Sequence, residues 1–199
     1  MAEQLALLPL ATSIRRPVEP IARGATIEGD YRYDLTRAWG SGPAVAFVML
    51  NPSMADSRID DPTIRNIMQR SMLWGFGSLV VVNIYPYRTS DPAAMKKWRN
   101  NQDSWDAIQE NADRVWVHLR KCEMTIAAWG AHADLEDVDY LLSRPDFESL
   151  RYGSMGLPLH CLGLTKSGAP LHPLARGKHF VPMNRKPIPF KFEPPDDYH

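Results

Sequence analysis

Hydrogen-bonding side chains follow the apolar runs of this sequence at several points, and their types suit recognition of an uncharged ligand. Asn51 comes directly after the run VAFVML, and Asn83 lies near the end of the run LVVVNI. An asparagine amide offers donors and an acceptor, so it can hold a water or read a base edge without carrying charge. The alternative is that Asn-Pro-Ser at 51–53 is an Asx-type turn leaving a strand. The other residues that follow apolar runs are Pro52, Ser53, Tyr85, Arg88, Trp129, Gly130, Thr165, His172 and Pro173.

An acidic cluster lies just beyond Asn51 and has two interpretations. Asp56, Asp60 and Asp61 either cap the following helix and match its dipole, or place a carboxylate beside the ligand as general base or magnesium ligand. Capping is favoured for Asp61, because Pro62 follows it at the first helical position. Asp56 is close to Asn51 in the same loop, so its carboxylate would place a negative charge beside a water held by Asn51. Asp56 is therefore a candidate catalytic residue.

Basic residues at the same ends suit a phosphate. Arg88 and Lys166 are predicted to contact a nucleotide phosphate, although both are also compatible with simple solvation. The turn Thr165 to Gly168 lacks the flanking glycine and strand-to-helix context of a P-loop. The histidines do not have the spacing of a metal site, so we expect no metal and no cofactor.

The elements that would position these residues alternate between strand and helix. Apolar runs at 45–50, 79–84, 124–130 and 158–165 predict four strands. Helical spacing predicts helices that start at Asp61, span 101–121 with Trp105 inward, and span 131–144 with Leu135 inward. Arg65 to Arg70 is interpreted as a solvated helix face.

This order predicts an α/β fold, a three-layer sandwich around a central, mostly parallel four-stranded sheet. Residues 31–39, in which Tyr31, Tyr33 and Leu35 alternate with polar residues, add an N-terminal edge strand or hairpin. In such sheets ligands bind beyond the carboxyl ends of the strands, where the polar residues above converge.

Composition limits the classes of function. The 199 residues are expected to form a single domain, 1–199, with an N-terminal extension (1–25) and a Pro-rich tail (185–199). Equal numbers of basic and acidic residues, 23 of each, exclude the broad basic field of a protein that grips long duplexes. Cys122 and Cys161 are expected to be buried thiols. Without a signal sequence or membrane span, the protein is expected in the cytoplasm, and its oligomeric state is open.

The strings RYDLTRAWG, VMLNPSMAD, DDPTIRN, VVVNIYPYR and LTKSGAPLHPL resemble the bacterial family called domain of unknown function 1643 (DUF1643) over most of the chain. More distantly, MLNPSMAD, VVVNIYPYR, IAAWGAHA and HPLARGKHF resemble, in order, the motifs of the uracil-DNA glycosylase superfamily. The resemblance implies a glycosylase-like fold with a nucleobase-sized pocket.

The superfamily resemblance also implies roles for single residues. Asn51 would hold the hydrolytic water, Asn83 would bind the flipped base, and His172 would stabilise the departing base. Pro52 and Ser53 would line the base pocket, and its aromatic floor would come from Tyr85, Tyr87 or Trp74. The loop after His172 would wedge the duplex, with DNA contacts from Leu174, Arg176 and Lys178.

The expected function is therefore a DNA glycosylase-like hydrolase for DNA repair that acts on a flipped base, either unmodified or modified. The alternative is a nucleotide- or nucleoside-binding protein, non-catalytic or differently catalytic, which fits the zero net charge. The expected partner is accordingly DNA or a free nucleotide or nucleoside. A DNA-end or protein-binding module has support only from the C-terminal tail and the basic stretch before it.

Overall fold

A computed structural model describes residues 19–143 and 159–193 of the chain. In these ranges seven strands form one sheet: β1 (Ala22–Glu28), β2 (Tyr31–Ala38), β3 (Ala44–Met49), β4 (Ser78–Asn83), β5 (Met124–Ala127), β6 (Leu159–Cys161) and β7 (Ile188–Pro189). Their order across the sheet is β1-β2-β4-β3-β5-β6-β7. Strands β4, β3, β5 and β6 are parallel neighbours, so their carboxyl ends meet at one edge.

The prediction of a mostly parallel four-stranded sheet is wrong, because the sheet is mixed. The four predicted strands form its parallel centre, but antiparallel strands extend both sides. The hairpin β1–β2 joins through β2, which runs antiparallel to β4. At the other side β7, within the segment predicted to be a Pro-rich tail, pairs antiparallel with β6. Two residues of a proline-rich segment carry too little pattern to indicate a strand.

Four helices flank the sheet in the described residues: α1 (Pro62–Leu73), α2 (Pro92–Arg99), α3 (Ser104–Leu119) and α4 (Leu135–Leu142). The predicted cap of α1 is confirmed, since Asp61 Oδ1 accepts a hydrogen bond from the backbone N–H of Ile64 at 2.9 Å. Helix α2 was missed, although Asp91 and Pro92 repeat the same cap. The predictions that Trp105 and Leu135 point inward are wrong, because both side chains are exposed at helix starts.

The helices divide between the two faces of the sheet. Helix α1 packs on one face, against Phe47 and Val81 among others. Helices α2, α3 and α4 pack on the opposite face, against Val48 and Val82. Each central strand is therefore covered on both sides, which explains why its sequence is a continuous apolar run. Cys122 and Cys161 are buried free thiols, as predicted.

An irregularity in β2 turns its side chains over. Thr26 pairs with Asp34, but Ile27 pairs with Arg32, so Tyr33 has no partner in the ladder. An extra residue of this kind is a β-bulge, and it breaks the two-residue alternation. Consequently Tyr33 faces α3, where it meets Glu110 and Arg114, whereas Arg32 faces the side of α1 together with Leu35. The alternation that predicted a half-buried strand does not hold across this point.

Gly77 allows two turns to touch, and replacing it tests that contact. A Cβ at Gly77 would lie 2.2 Å from the backbone nitrogen of Gly42 and 2.7 Å from its Cα. Gly77→Ala is therefore expected to lower the free energy of unfolding by about 1–3 kcal/mol, as overpacking does, measured by urea denaturation. The control is Gly40→Ala, whose Cβ would come no nearer than 4.0 Å to Gly77. Equal stability of the two variants would contradict the close approach.

None of the helices in residues 19–143 and 159–193 has both the length and the apolar character needed to cross a membrane.

Candidate active site

A cavity of about 380 Å³ opens at the carboxyl edge of the parallel strands. Three segments build it: the end of β3, the turn after β5, and the long connection that follows β6. Apolar side chains and backbone form much of its wall, and nitrogen-rich side chains supply the rest. The lining residues are Met49, Leu50, Asn51, Trp129, Gly130, Ala131, His132, Thr165, Leu171, His172, Ala175, Arg176 and His179. The structure therefore brings together Asn51, His172 and Arg176 of the predicted site residues.

Asn51 joins the loop after β3 to the loop after β4. Its Nδ2 donates to the carbonyl oxygens of Thr89 at 2.7 Å and Pro52 at 3.2 Å. In return the backbone N–H of Thr89 donates to the carbonyl of Pro52 at 2.9 Å. These bonds fix the amide so that Oδ1, which accepts no hydrogen bond from the described residues, is the group left to bind water. Pro52 is buried between these two loops and Ser53 is half-buried, and neither residue lines the cavity.

His172 is held in one tautomer. Its Nδ1 accepts a hydrogen bond from the backbone N–H of Leu174 at 3.0 Å. An accepting nitrogen carries no proton, so the neutral imidazole must bear its proton on Nε2. Burial lowers the pKa of His172 from its usual value, and the negative charge of Asp61 opposes part of that shift. His172, a residue of the cavity lining, thus has Nε2–H as the only donor of its neutral ring.

The pKa of His172 gives a prediction that needs no substrate. We expect its imidazole to titrate below 6.5, its ordinary value, when the Hε1 resonance is followed by NMR. Asp61→Asn should lower that pKa further, because it removes the favourable charge while asparagine still caps α1. A midpoint above 6.5 in the wild type would contradict the burial. Since the unfolded chain then binds the proton more readily than the folded one, His172 should reduce stability as the pH falls below 6.5.

The described lining of the cavity contains basic side chains and no acidic ones. His132, His179 and Arg176 face it with His172, and no aspartate or glutamate of the described residues is among the lining. The same part of the chain contains no group of three His, Cys, Asp or Glu residues placed to hold a metal ion. The wall therefore favours a ligand that carries acceptors or negative charge.

The acidic cluster serves the loop and helix rather than the cavity. Asp56 Oδ1 accepts from the backbone N–H groups of Arg58 at 2.7 Å and Ile59 at 2.8 Å, bonds that lower the pKa of its exposed carboxyl. Asp60 forms ion pairs with Arg23 at 2.7 Å and Arg37 at 2.8 Å. The structure therefore does not bring Asp56 to the cavity beside Asn51.

Asn83 and Tyr85 also lie away from the cavity lining. The Asn83 side chain is 1% exposed, and neither its Oδ1 nor its Nδ2 has a hydrogen-bond partner among the described residues. Leaving such a group unsatisfied costs about 1–3 kcal/mol. Tyr85 is buried with its hydroxyl donating to Asp137 Oδ2 at 2.8 Å and accepting from the N–H of Asp134 at 3.1 Å. Its ring belongs to the core on the α2–α4 face.

The predicted phosphate and DNA contacts are spread over the same edge. Lys166 is exposed on a small turn closed by the Thr165 hydroxyl, which accepts from the N–H of Ala169 at 3.1 Å. Arg88 is half-buried near Asp56, away from the cavity lining. Leu174, Arg176 and Lys178 are exposed in the loop after His172.

Three buried arginines were missed by sequence reasoning. Arg32 and Arg37 lie on β2 and bond the backbone of the loop after β3 through Ala55 and Asp56. Arg70 is 1% exposed, so the interpretation of its helix face as solvated is wrong. Its guanidinium donates to the carbonyl oxygens of Val181 and Pro182, both at 2.7 Å. The sequence gives a signal for two of them: Arg37 lies two residues from Leu35 and Trp39 on a strand, and Arg70 lies three residues from Ile67 and Leu73 on a helix.

Comparison with known proteins places the chain in a family. A family model described as "Protein of unknown function (DUF1643)" matches residues 32–174. The chain belongs to this family. The DUF1643 segment begins on β2 and contains Asn51 and His172, but it ends before Arg176 and His179 of the cavity wall.

Other comparisons add little to the DUF1643 assignment. No curated protein matches the chain. Among solved structures, a chain of the hetero-hexameric glutamate dehydrogenase from Thermus thermophilus, in its leucine-bound form, is similar with 13% identity and a TM-score of 0.31. The alignment covers 67% of this chain but only 31% of the dehydrogenase chain. A similarity at that TM-score does not establish a shared fold.

Proposed function

We propose that the cavity binds a nucleobase and that the protein hydrolyses the N-glycosidic bond of its nucleotide. The observation that carries this proposal is His172, a residue of the cavity lining whose tautomer is fixed by Leu174 and whose only donor is therefore Nε2–H. Such a donor stabilises negative charge that develops on a departing base. The resemblance of the strand-end motifs to those of uracil-DNA glycosylases supports the same chemistry.

The reaction assigns one task to each of two residues. Asn51 Oδ1 accepts a hydrogen bond from a water and orients its oxygen toward C1′ of the sugar. The C1′–N bond breaks with its electron pair passing to the base nitrogen, which receives the His172 hydrogen bond. The water oxygen then bonds to C1′, and its released proton neutralises the departing base through solvent. Because the described lining contains no carboxylate, leaving-group stabilisation must provide most of the catalysis and turnover should be slow.

The surroundings of the cavity suit a flipped nucleotide. Trp129 and the apolar residues Leu50 and Leu171 offer a surface for the base. Leu174 is 36% exposed immediately after the cavity, and Arg176 and Lys178 follow it. An exposed leucine beside two cations is suited to replacing an extruded base and holding the adjacent phosphates.

The test is an abasic-site assay. Duplexes containing uracil, mismatched thymine, hypoxanthine or modified bases should be incubated with the protein, along with single strands and free nucleosides. The proposal expects base release from at least one substrate and its loss in His172→Ala. Absence of release from every duplex, single strand and nucleoside would overturn it.

A second candidate, a nucleotide-binding protein without this reaction, is favoured by the position of Asn83. The residue expected to read the base does not line the cavity, whereas a lining with Arg176 and no carboxylate among the described residues suits a free nucleotide. Thermal denaturation with free nucleotides separates the two functions, because a ligand at 100 times its Kd adds about 2.7 kcal/mol. Stabilisation without base release would favour this candidate.

A further inference from the structure

Three nitrogen-bearing side chains beneath the loop after β3 contain buried atoms that form no hydrogen bond with residues 19–143 or 159–193. The atoms concerned are Oδ1 and Nδ2 of Asn83, Nε of Arg32 and Nε of Arg88. Buried polar atoms nearly always have a partner in proteins, so each exception calls for an explanation. None of the three residues lines the cavity assigned to the nucleobase.

Strand pairing brings Asn83 and Arg32 to one place. On β4, Asn83 alternates with Leu79 and Val81, which face α1. Leu35 of β2 is opposite Val81, and the bulge at Tyr33 turns Arg32 to this same face. The backbone N–H of Arg32 donates to Pro86 at 2.9 Å, three residues beyond Asn83. The two side chains therefore lie on one face of neighbouring strands, below the loop.

Arg88 completes the group from the following turn. Its backbone N–H donates to the carbonyl of Asp30 at 2.9 Å, which brings it beside the start of β2. Burial lowers the pKa of Arg32 to about 10, and the positive charges of Arg88 and Arg37 contribute to the same shift. The guanidinium groups of Arg32 and Arg88 are thus near enough to repel each other.

Neither guanidinium group forms an ion pair with a carboxylate of the described residues, although Asp56 acts on Arg88 from a distance. Arg32 is 2% exposed and donates through NH1 to the Ala55 carbonyl at 2.8 Å. Asp61 and Asp34 attract it from a distance, but neither forms an ion pair with it, and no carboxylate in residues 19–143 or 159–193 does so with Arg88. Arg37, in contrast, is paired with Asp60. Two guanidinium groups, that of the buried Arg32 and that of the half-buried Arg88, therefore lie close together without a carboxylate partner.

We propose that Arg32, Arg88 and Asn83 form a phosphate-binding site behind the nucleobase cavity. Two guanidinium groups match the charge of a phosphate dianion, and the Nε–H groups and the Asn83 Nδ2 supply donors for its oxygens. A neutral base edge would satisfy the amide and leave both positive charges uncompensated. The phosphate is either inorganic or the monoester of a nucleotide. This site does not depend on base excision and exists if that activity fails.

The first experiment uses the unaltered protein and inorganic phosphate. Arginine Nε–Hε resonances are recorded by NMR during a titration with phosphate, with Arg88→Met used to assign one of them. The proposal expects saturable shifts of the Arg32 and Arg88 resonances and a phosphate-dependent rise in Tm. Shifts confined to exposed arginines, or no saturable shift, would overturn it.

Variants supply the second experiment and its control. Arg32→Met and Asn83→Leu keep approximate side-chain size and are expected to weaken phosphate binding by about 10- to 100-fold, because hydrogen bonds to a charged group are lost. Arg58→Met makes the same change at an exposed position of the adjacent loop and should bind phosphate normally. Unchanged affinity in Arg32→Met would contradict the site. The NMR titration decides the question if a buried variant does not fold.

A nucleoside monophosphate and its nucleoside distinguish the two sources of phosphate. A nucleotide that occupies both places should shift the Arg32 resonance and also change the fluorescence of the protein through Trp129, and it should bind more tightly than inorganic phosphate. Binding of inorganic phosphate alone would assign the site to the free ion. Binding of the nucleoside at Trp129 with no effect of phosphate at Arg32 would overturn the phosphate site while leaving the nucleobase cavity intact.

Discussion

Replacement of His172 by alanine is expected to lower the rate constant of base excision by about 10²- to 10³-fold, the usual loss when one donor to a developing anion is removed. We expect this large effect because the N–H of Leu174 occupies Nδ1 of His172 and burial keeps the ring neutral. Nε2–H is therefore the only donor of the ring. The loss should fall on kcat rather than on KM, since the departing base gains charge only in the transition state. Single-turnover kinetics on the best substrate of the abasic-site panel would measure it.

Two further variants make that result specific. His172→Gln restores an N–H donor and should recover part of the rate. His118→Ala removes a histidine on α3 that pairs with Asp34 at 3.4 Å, away from the cavity lining, and should leave the rate unchanged. Full activity in His172→Ala would assign leaving-group stabilisation to another residue. An equal loss in His118→Ala would indicate that stability, not chemistry, had changed.

Asp137→Asn is expected to lower the free energy of unfolding by about 3–5 kcal/mol, the range found when one partner of a buried ion pair is removed. Asp137 is 1% exposed on α4. It accepts from Arg99 Nε at one oxygen and from Arg99 NH2 at the other, the second bond at 2.8 Å. The Tyr85 hydroxyl donates to the same carboxylate. An asparagine would leave the guanidinium uncompensated and turn an N–H toward it.

Urea denaturation measures this loss, and two comparisons interpret it. Glu136→Gln neutralises an exposed acid on the same helix and should change stability by no more than about 0.5 kcal/mol. The double variant Arg99→Met with Asp137→Leu should regain much of the loss, because apolar pairs often replace buried ion pairs without penalty. If Asp137→Asn were as stable as the wild type, α2 and α4 would not be joined by this network.

The sequence patterns that predicted correctly are those whose physical cause is local. Asp61 and Pro62 predict the start of a helix because the capping side chain and the N–H group that it binds are only three residues apart. The central strands are evident because a strand covered on both faces must be apolar throughout. Their parallel pairing places Asn51 and His172 at one edge, as the rule for such sheets requires.

The failures involve causes distant in sequence. The bulge in β2 depends on its pairing with β1, and no residue type in YRYDLTRA reveals it. The burial of Arg70 depends on carbonyl groups more than 100 residues further along the chain. The role of Asn83 in base binding is implied by the superfamily resemblance and stays a prediction; the structure shows only that Asn83 does not line the cavity, which a strand-end position does not specify. The two-residue strand β7 is set by pairing with β6 rather than by its own residues.

The bonds from Arg70 to Val181 and Pro182 also bear on how a shortened protein would behave. The family match ends at residue 174, so a fragment trimmed to that boundary would retain α1 but lose the carbonyl groups that Arg70 contacts. A guanidinium that is 1% exposed would then have to reach water or remain unsolvated. Because α1 follows the loop that carries Asn51, its displacement would be transmitted to the cavity. The segment after residue 174 thus supports α1 through Arg70 and also supplies part of the cavity wall.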